Sequence, residues 1–329
     1  MEEKENQDLF EDRSDYSSVR NTIDQIKAEI RKVIVGQEKM IELMIVALLS
    51  EGHILLEGNP GVAKTLTARL LSRTIDSGFQ RIQFTPDLMP SDVVGTAIYN
   101  FKTSEFEFKK GPIFSNLILI DEINRAPAKT QAALFEAMEE RQVTVDGTTY
   151  IMKDPFMIIA TQNPIEMEGT YRLPEAQMDR FFFKISIGYP TLEEEIQIIN
   201  NHHKEKDITK LNNINPIISE KTLHENRLKI RTIIVEEKLI QYIAKIVQKT
   251  RHYNDIYIGA SPRASLALLN GSKALALIRG RDFVIPEDII ELTVPVLEHR
   301  ISIQAEKEME GETSAMIIEN MVKSIEVPR

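Results

Sequence analysis

The run EGNPGVAKTLT, residues 57–67, nearly satisfies the pattern G-x-x-x-x-G-K-[ST]. Gly58, Lys64 and Thr65 fit it, and Ala63 stands where a second glycine is expected. In such a run the backbone N–H groups along Gly58, Asn59, Pro60, Gly61, Val62 and Ala63 (all but the proline carry one) wrap a phosphate at the start of the next helix. The Lys64 ammonium would reach the outer phosphates and the Thr65 hydroxyl would hold Mg²⁺. Ala63 adds one methyl, so its backbone is expected in a region open to ordinary L-residues. The rival reading, a Gly-Pro turn capping a core helix, leaves Lys64 and Thr65 unexplained.

Two further groups could serve the same chemistry. In LILIDEINRAP, Asp121 and Glu122 end an apolar run. The first acid is placed to orient a metal shell and the second to polarise an attacking water. In IIATQNP, Asn163 closes another apolar run and would present its amide to the outermost phosphate. Each has a plain alternative, two solvated acids at a strand exit and an Asn-Pro turn start. The phosphate-loop pattern upstream tips both toward function.

These groups need a scaffold. HILLEG, RIQFT, NLILIDE, FMIIATQN and RFFFKIS are short, continuous apolar runs. They predict a parallel sheet covered on both faces. TIDQIKAEIRKVI, EKMIELMIVALLSEG and KTLTARLLSRTI carry helical spacing. AIYN with FEFKKG could form an inserted hairpin, and QVTVDGTTYIM a second one turning at Asp146-Gly147. After Tyr189-Pro190 the pattern becomes helical, broken by a connector at residues 211–222. The expected division is a polar, acidic tail over residues 1–20, an α/β nucleotide-binding core over 21–190 and a smaller helical domain over 191–329.

The chain has 329 residues, a net charge of -10 and no cysteine. The acidic balance works against a nucleic-acid partner, which needs a basic footprint. Absent cysteine removes disulfides and thiolate chemistry and fits a reducing compartment. No apolar run is long enough for a signal peptide or membrane span, so a cytoplasmic protein is expected. The six histidines show no metal-ligand spacing, and the His202-His203 pair reads as solvated.

Taken together, the phosphate loop, the DE pair, the strand-terminal Asn163, MDRF around Arg180 and SPRAS around Arg263 resemble the AAA+ ATPases, and within them the MoxR group. IVGQE, GNPGVAKT, the long run from GPIF to TVDG and ATQNPIEMEGTYRLPEAQMDRF carry the resemblance over residues 33–303. MoxR-like chains often have alanine before the loop lysine, so Ala63 fits the group. The resemblance implies a five-stranded parallel core with hairpin inserts and a helical lid. It places Val35 and Gly36 near the adenine of ATP, and Thr65 and Asp121 at Mg²⁺. Glu122 becomes the base for water and Asn163 the sensor that positions it. Arg180 becomes the finger reaching a neighbouring subunit's nucleotide, and Arg263 a second sensor on its own subunit's γ-phosphate. Without the resemblance, Arg180 would read as a surface cation; Arg263 at a helix start is dipole-unfavourable and points to a nearby anion. Arg172 departs from the proline usual in relatives.

The implied function is an ATP-driven homo-oligomeric ring, hexameric in relatives, that remodels a protein client such as a von Willebrand factor A domain protein. The inserts, with Tyr99, Phe101, Phe106 and Phe108 beside Lys102, Lys109 and Lys110, could grip a polypeptide or pack on the core. A magnesium-chelatase-type motor subunit and a nucleic-acid translocase are the alternatives. A non-hydrolysing scaffold is opposed by the presence of Glu122, Asn163 and Arg180.

Overall fold

The computed structural model describes residues 16–145, 147–163, 171, 173–204 and 214–328. Five strands form the central sheet: β1 Ile54–Gly58, β2 Phe79–Gln83, β5 Leu117–Asp121, β8 Met157–Gln162 and β9 Phe183–Ile187. Their spatial order is β2-β5-β8-β1-β9, and every pairing is parallel. These are the five apolar runs of the sequence. Their continuity follows from burial on both faces, since β5 is buried at all five positions.

Alternate residues feed two separate cores. Ile54, Leu56, Leu119 and Ile159 point to one face. There they meet α1 (Ser17–Arg31), α2 (Glu38–Leu49) and α3 (Lys64–Thr74), together with the buried side of the second domain. Leu55, Ile118, Ile120 and Ile158 point to the other face. They pack against Val93 and Val94 of α4 (Pro90–Val94) and Leu134, Phe135 and Met138 of α5 (Ala128–Glu140).

Two excursions leave this core. β3 (Gly95–Asn100) with β4 (Glu105–Lys110), and β6 (Gln142–Val145) with β7 (Thr148–Ile151), are antiparallel hairpins as expected. Asp146, the expected first turn residue of the second hairpin, lies outside the described residues. Phe108 stacks on Tyr150 at 4.4 Å between centroids and meets Phe114, which ties the hairpins together. Phe101 and Phe106 stand exposed around Tyr99. The aromatics divide between the two readings.

A short helix α6 (Glu175–Met178) precedes β9. The second domain then runs through α7 (Leu192–Lys204), α8 (Glu220–Arg231), α9 (Glu237–Thr250), α10 (Pro262–Ile278), α11 (Pro286–Leu297), α12 (Ala305–Met309) and α13 (Ser314–Lys323). A ribbon of β10 (Ile256–Ile258), before α10, with β11 (Ser302–Ile303), before α12, is an addition to the expected helices. Three differences from the sequence reading stand out. First, α1 begins at Ser17, inside the expected tail, because Tyr16 and Val19 are buried with Ile23, Ile26 and Ile30. Second, α8 starts within the expected connector, capped by Ser219, whose side chain accepts from Thr222 N–H. Third, α5 adds a helix between β5 and the second hairpin that the sequence reading did not assign, although Leu134, Phe135 and Met138 lie at helical spacing.

Candidate functional site

At one edge of the sheet the C-terminal ends of β1, β5 and β8 surround a cavity of about 350 Å³. Pro60, Gly61, Ala63, Lys64 and Thr65 line it from the loop, and Asp121, Glu122, Thr161 and Asn163 from the strand ends. Ligand chemistry in open α/β sheets belongs at this edge. Gly58 has a steric reason: a Cβ there would lie 2.7 Å from the Ile187 carbonyl oxygen on β9. Ala63 is a correction. Its backbone is left-handed, φ 62°, rather than in a region open to L-residues. The methyl is carried against a strain of about 1–2 kcal/mol.

The Lys64 ammonium donates to the Gly58 carbonyl at 2.6 Å, so it already lies across the loop. Burial lowers its pKa, opposed by Asp121, Glu122 and Glu57. The acid pair is wired to its neighbours. Asp121 is buried, accepts from Arg81 Nε at 2.6 Å and accepts the Thr161 hydroxyl at 3.1 Å. Thr161 in turn accepts the Glu122 N–H at 3.0 Å. Glu122 is left-handed, φ 58°, which turns its side chain off the strand line. Its Oε2 accepts from Gln83 Nε2 at 2.8 Å and pairs with Arg125 Nε at 3.0 Å. Arg81, Gln83 and Arg125 escaped the sequence reading. Arg81 and Gln83 alternate on β2, and their only signal was polar residues inside a predicted strand.

The fit to Mg-ATP rests on this donor set: a lysine and loop amides for phosphates, and Thr65 with the Asp121 carboxylate for a hard cation. The turn at Val35 and Gly36 lies on the neighbouring side. Gln37 Nε2 donates to the Gly188 carbonyl just beyond β9, at 3.3 Å. A cavity of about 320 Å³ opens there, lined by Gln37, Met40, Ser186 and Pro295. Gly36 is left-handed, and the Glu194 carboxylate occupies the space a Cβ would need.

The two arginines are elsewhere. Phe182 N–H donates to the His53 carbonyl, so Arg180 sits at the entry end of β1 and β9. Five strand residues separate it from the loop, roughly 15 Å. Arg180 Nη2 pairs with Glu139 Oε2 at 2.8 Å. Arg263 Nη2 pairs with the other oxygen of the same carboxylate, and Arg263 Nη1 lies 3.8 Å from Asp179. The two arginines share a cavity of about 290 Å³ with Arg141 and Arg300. Arg263 thus lies beside Arg180, in a cavity separate from the one that residues 60–65 of its own chain line. Glu139 and Asp179 supply the anions that its position at the start of α10 requires. Arg172 lies outside the described residues.

Asp179 is the joint between the domains. It accepts the Ser261 hydroxyl at 2.9 Å and Arg300 Nε at 3.0 Å. Arg300 is buried and also donates to the Phe182 carbonyl, at 3.2 Å; burial pulls its pKa down to about 10 against the pull of Asp179. His299 Nε2 meets the Phe181 carbonyl at 2.9 Å. Beneath this edge His53 accepts the Ile158 N–H on Nδ1 at 2.9 Å and donates from Nε2 to the Met138 carbonyl at 3.1 Å. Burial lowers its pKa to about 4. Among the described residues no cluster of His, Asp and Glu could hold a metal, and His202 and His203 are exposed. No helix among them is long and apolar enough to cross a membrane.

Residues 53–183 match the ATPase family associated with various cellular activities (AAA), and residues 248–321 match the AAA lid domain. The chain is 43% identical to Chaperone MoxR1 of Mycobacterium tuberculosis over 94% of its own length and 83% of that protein. It is 46% identical to YeaC of Bacillus subtilis, over 91% and 92% of the two chains. A crystal structure of an inferred ATPase from Cytophaga hutchinsonii superposes with a TM-score of 0.88 at 43% identity, covering 95% of this chain and 97% of that one.

Proposed function

The chain belongs to the MoxR group of AAA+ ATPases, and from that premise we propose that it hydrolyses Mg-ATP between the subunits of a ring and uses the resulting motion to remodel a protein client. One observation carries this reading: the phosphate loop and Arg180 lie at opposite ends of the same strands. A single chain cannot bring both to one phosphate. Copies packed head to tail can, and rotation closes such a series into a ring.

In this reading the loop amides and Lys64 bind the phosphates, and Thr65 and Asp121 hold Mg²⁺, which neutralises charge on the phosphoryl oxygens. Glu122 takes a proton from the attacking water once it leaves Gln83 and Arg125, and Asn163 orients that water. Arg180 stabilises charge on a neighbour's nucleotide. Arg263, held beside it by Glu139, acts in the same direction, across the interface rather than on its own nucleotide. Exposed Phe101 and Phe106 on the first hairpin are the surface offered to a polypeptide. The net charge of -10 disfavours a nucleic-acid client. A chaperone named among the relatives supports the client class.

Subunit mixing tests the reading. Lys64→Ala and Arg180→Ala chains should each be inactive alone, and their mixture should regain Mg-ATPase activity, because one supplies the arginine and the other the nucleotide. Arg263→Ala should be rescued by Lys64→Ala in the same way. A dead mixture, with a wild-type rate per subunit independent of concentration, would overturn the proposal.

A further inference from the structure

The helix α7 is amphipathic with its apolar side in solvent. Leu192, Ile196 and Ile199, at i, i+4 and i+7, are 69%, 50% and 62% exposed. Every side chain described from residue 192 to 203 is exposed except Glu194. A stripe of this kind on a soluble protein marks a binding surface. Glu193 and Glu195 flank it, one on each side of the helical wheel.

Its root is fixed at the nucleotide side. Thr191 N–H donates to Glu194 Oε2 at 2.8 Å, Glu194 N–H donates to Thr191 Oγ1 at 3.3 Å, and the Glu194 carboxylate fills the space over Gly36. Whatever covers α7 is held beside the Gly36 turn.

The opposite edge of the molecule carries arginines in excess of acids: Arg141, Arg180, Arg263 and Arg300 line it against Glu51, Glu139 and Asp179, and Leu266, one turn beyond Arg263 on α10, is 60% exposed among them. We infer that α7 is the docking surface for the arginine edge of a second copy of this chain. Its apolar stripe covers Leu266, and Glu193 and Glu195 face the neighbour's Arg141, which leaves Arg180 and Arg263 to the nucleotide. The stretch before residue 16 is a poorer occupant, because it is acidic like the flanks of α7. This inference rests on the ring reading and names the element that sets the approach of Arg180 to the neighbouring loop.

The test reads assembly by sedimentation velocity with Mg and ATPγS, for wild type, Arg180→Ala and the pair Ile196→Glu with Ile199→Glu. Nucleotide binding is followed in parallel with a fluorescent ATP analogue. The expected result is a shift of the association midpoint by about tenfold or more for the Ile pair. Nucleotide binding by its monomer should be unchanged, and Arg180→Ala should still assemble. Because the chain has no cysteine, Ile199→Cys and Leu266→Cys chains can also be mixed with a bismaleimide. A covalent dimer formed only in the mixture supports the contact. An unchanged midpoint with no mixed cross-link overturns it while leaving the ring intact; wild type that stays monomeric with nucleotide overturns the ring reading as well.

Discussion

The two ends of the central sheet are built differently. The phosphate edge is assembled from residues next to one another in the chain: residues 58–65 in one loop, Asp121 and Glu122 side by side, and Asn163 one residue past β8. The arginine edge is assembled from distant pieces. Glu139 comes from the end of α5, Asp179 and Arg180 from the approach to β9, and Ser261, Arg263 and Arg300 from the lid. The residues of the first edge come from the core alone, and those of the second from both core and lid. The loop edge is therefore set within the core, whereas the positions of Arg180 and Glu139 are tied to side chains of the second domain.

The sharpest way to break this comparison is to remove Arg180, the finger of the proposed ring. Arg180→Ala should lower turnover by about 10³–10⁵ while ATP binding to the same chain's own loop is kept, because the arginine serves the neighbour. Turnover and analogue binding measured on one preparation decide this, and a parallel loss of binding would place Arg180 at its own site. Glu122→Gln works on the other edge. It should lower turnover by about 10²–10⁴ with nucleotide still bound, as expected when only the base is lost.

Asp179→Asn probes the joint. It leaves the buried Arg300 guanidinium without its carboxylate, and breaking a buried pair in this way costs about 3–5 kcal/mol. Thermal unfolding should show the loss, and Asp121→Asn at the phosphate edge should cost less, since its Arg81 partner is half exposed.

Acid should also act on the arginine edge. The folded His53 has a pKa of about 4 against an ordinary 6.5, so the unfolded chain binds its proton first. Stability should fall as pH drops from 6.5 toward 4, by about 3 kcal/mol from this residue. His299, lowered for the same reason, adds in the same direction. Denaturant unfolding across that window, with His53→Gln expected to flatten the slope, is the measurement. The smallest effect belongs to the loop: Ala63→Gly should raise stability by about 1 kcal/mol by removing the left-handed strain. A loss there would mean that the alanine methyl packs usefully enough to outweigh its backbone.

The phosphate edge was legible because its chemistry is local. A loop that presents consecutive amides needs its residues in fixed order, and the apolar runs before Gly58, Asp121 and Asn163 carry the strand signal with them. The five sheet strands and both hairpins followed from the same patterning. Gln83 and Arg125 were not legible, because their roles arise from β2 lying beside β5 and from the 3-10 turn after Glu122. The left-handed backbone of Ala63 was misread, because a side chain of one methyl permits but does not announce that conformation.

What the sequence determined by itself is therefore the loop at residues 58–65, the acid pair, the sheet that presents them and the helical lid. The tertiary structure alone decided that Arg180 and Arg263 share Glu139 on the far edge, that Asp179 bonds Ser261 and Arg300 of the lid and that the apolar face of α7 is left in solvent. The reason is physical. Hydrogen bonding along a loop and burial along a strand are set by neighbours in the chain, whereas an ion pair across 124 residues, as between Glu139 and Arg263, exists only when packing brings its elements together.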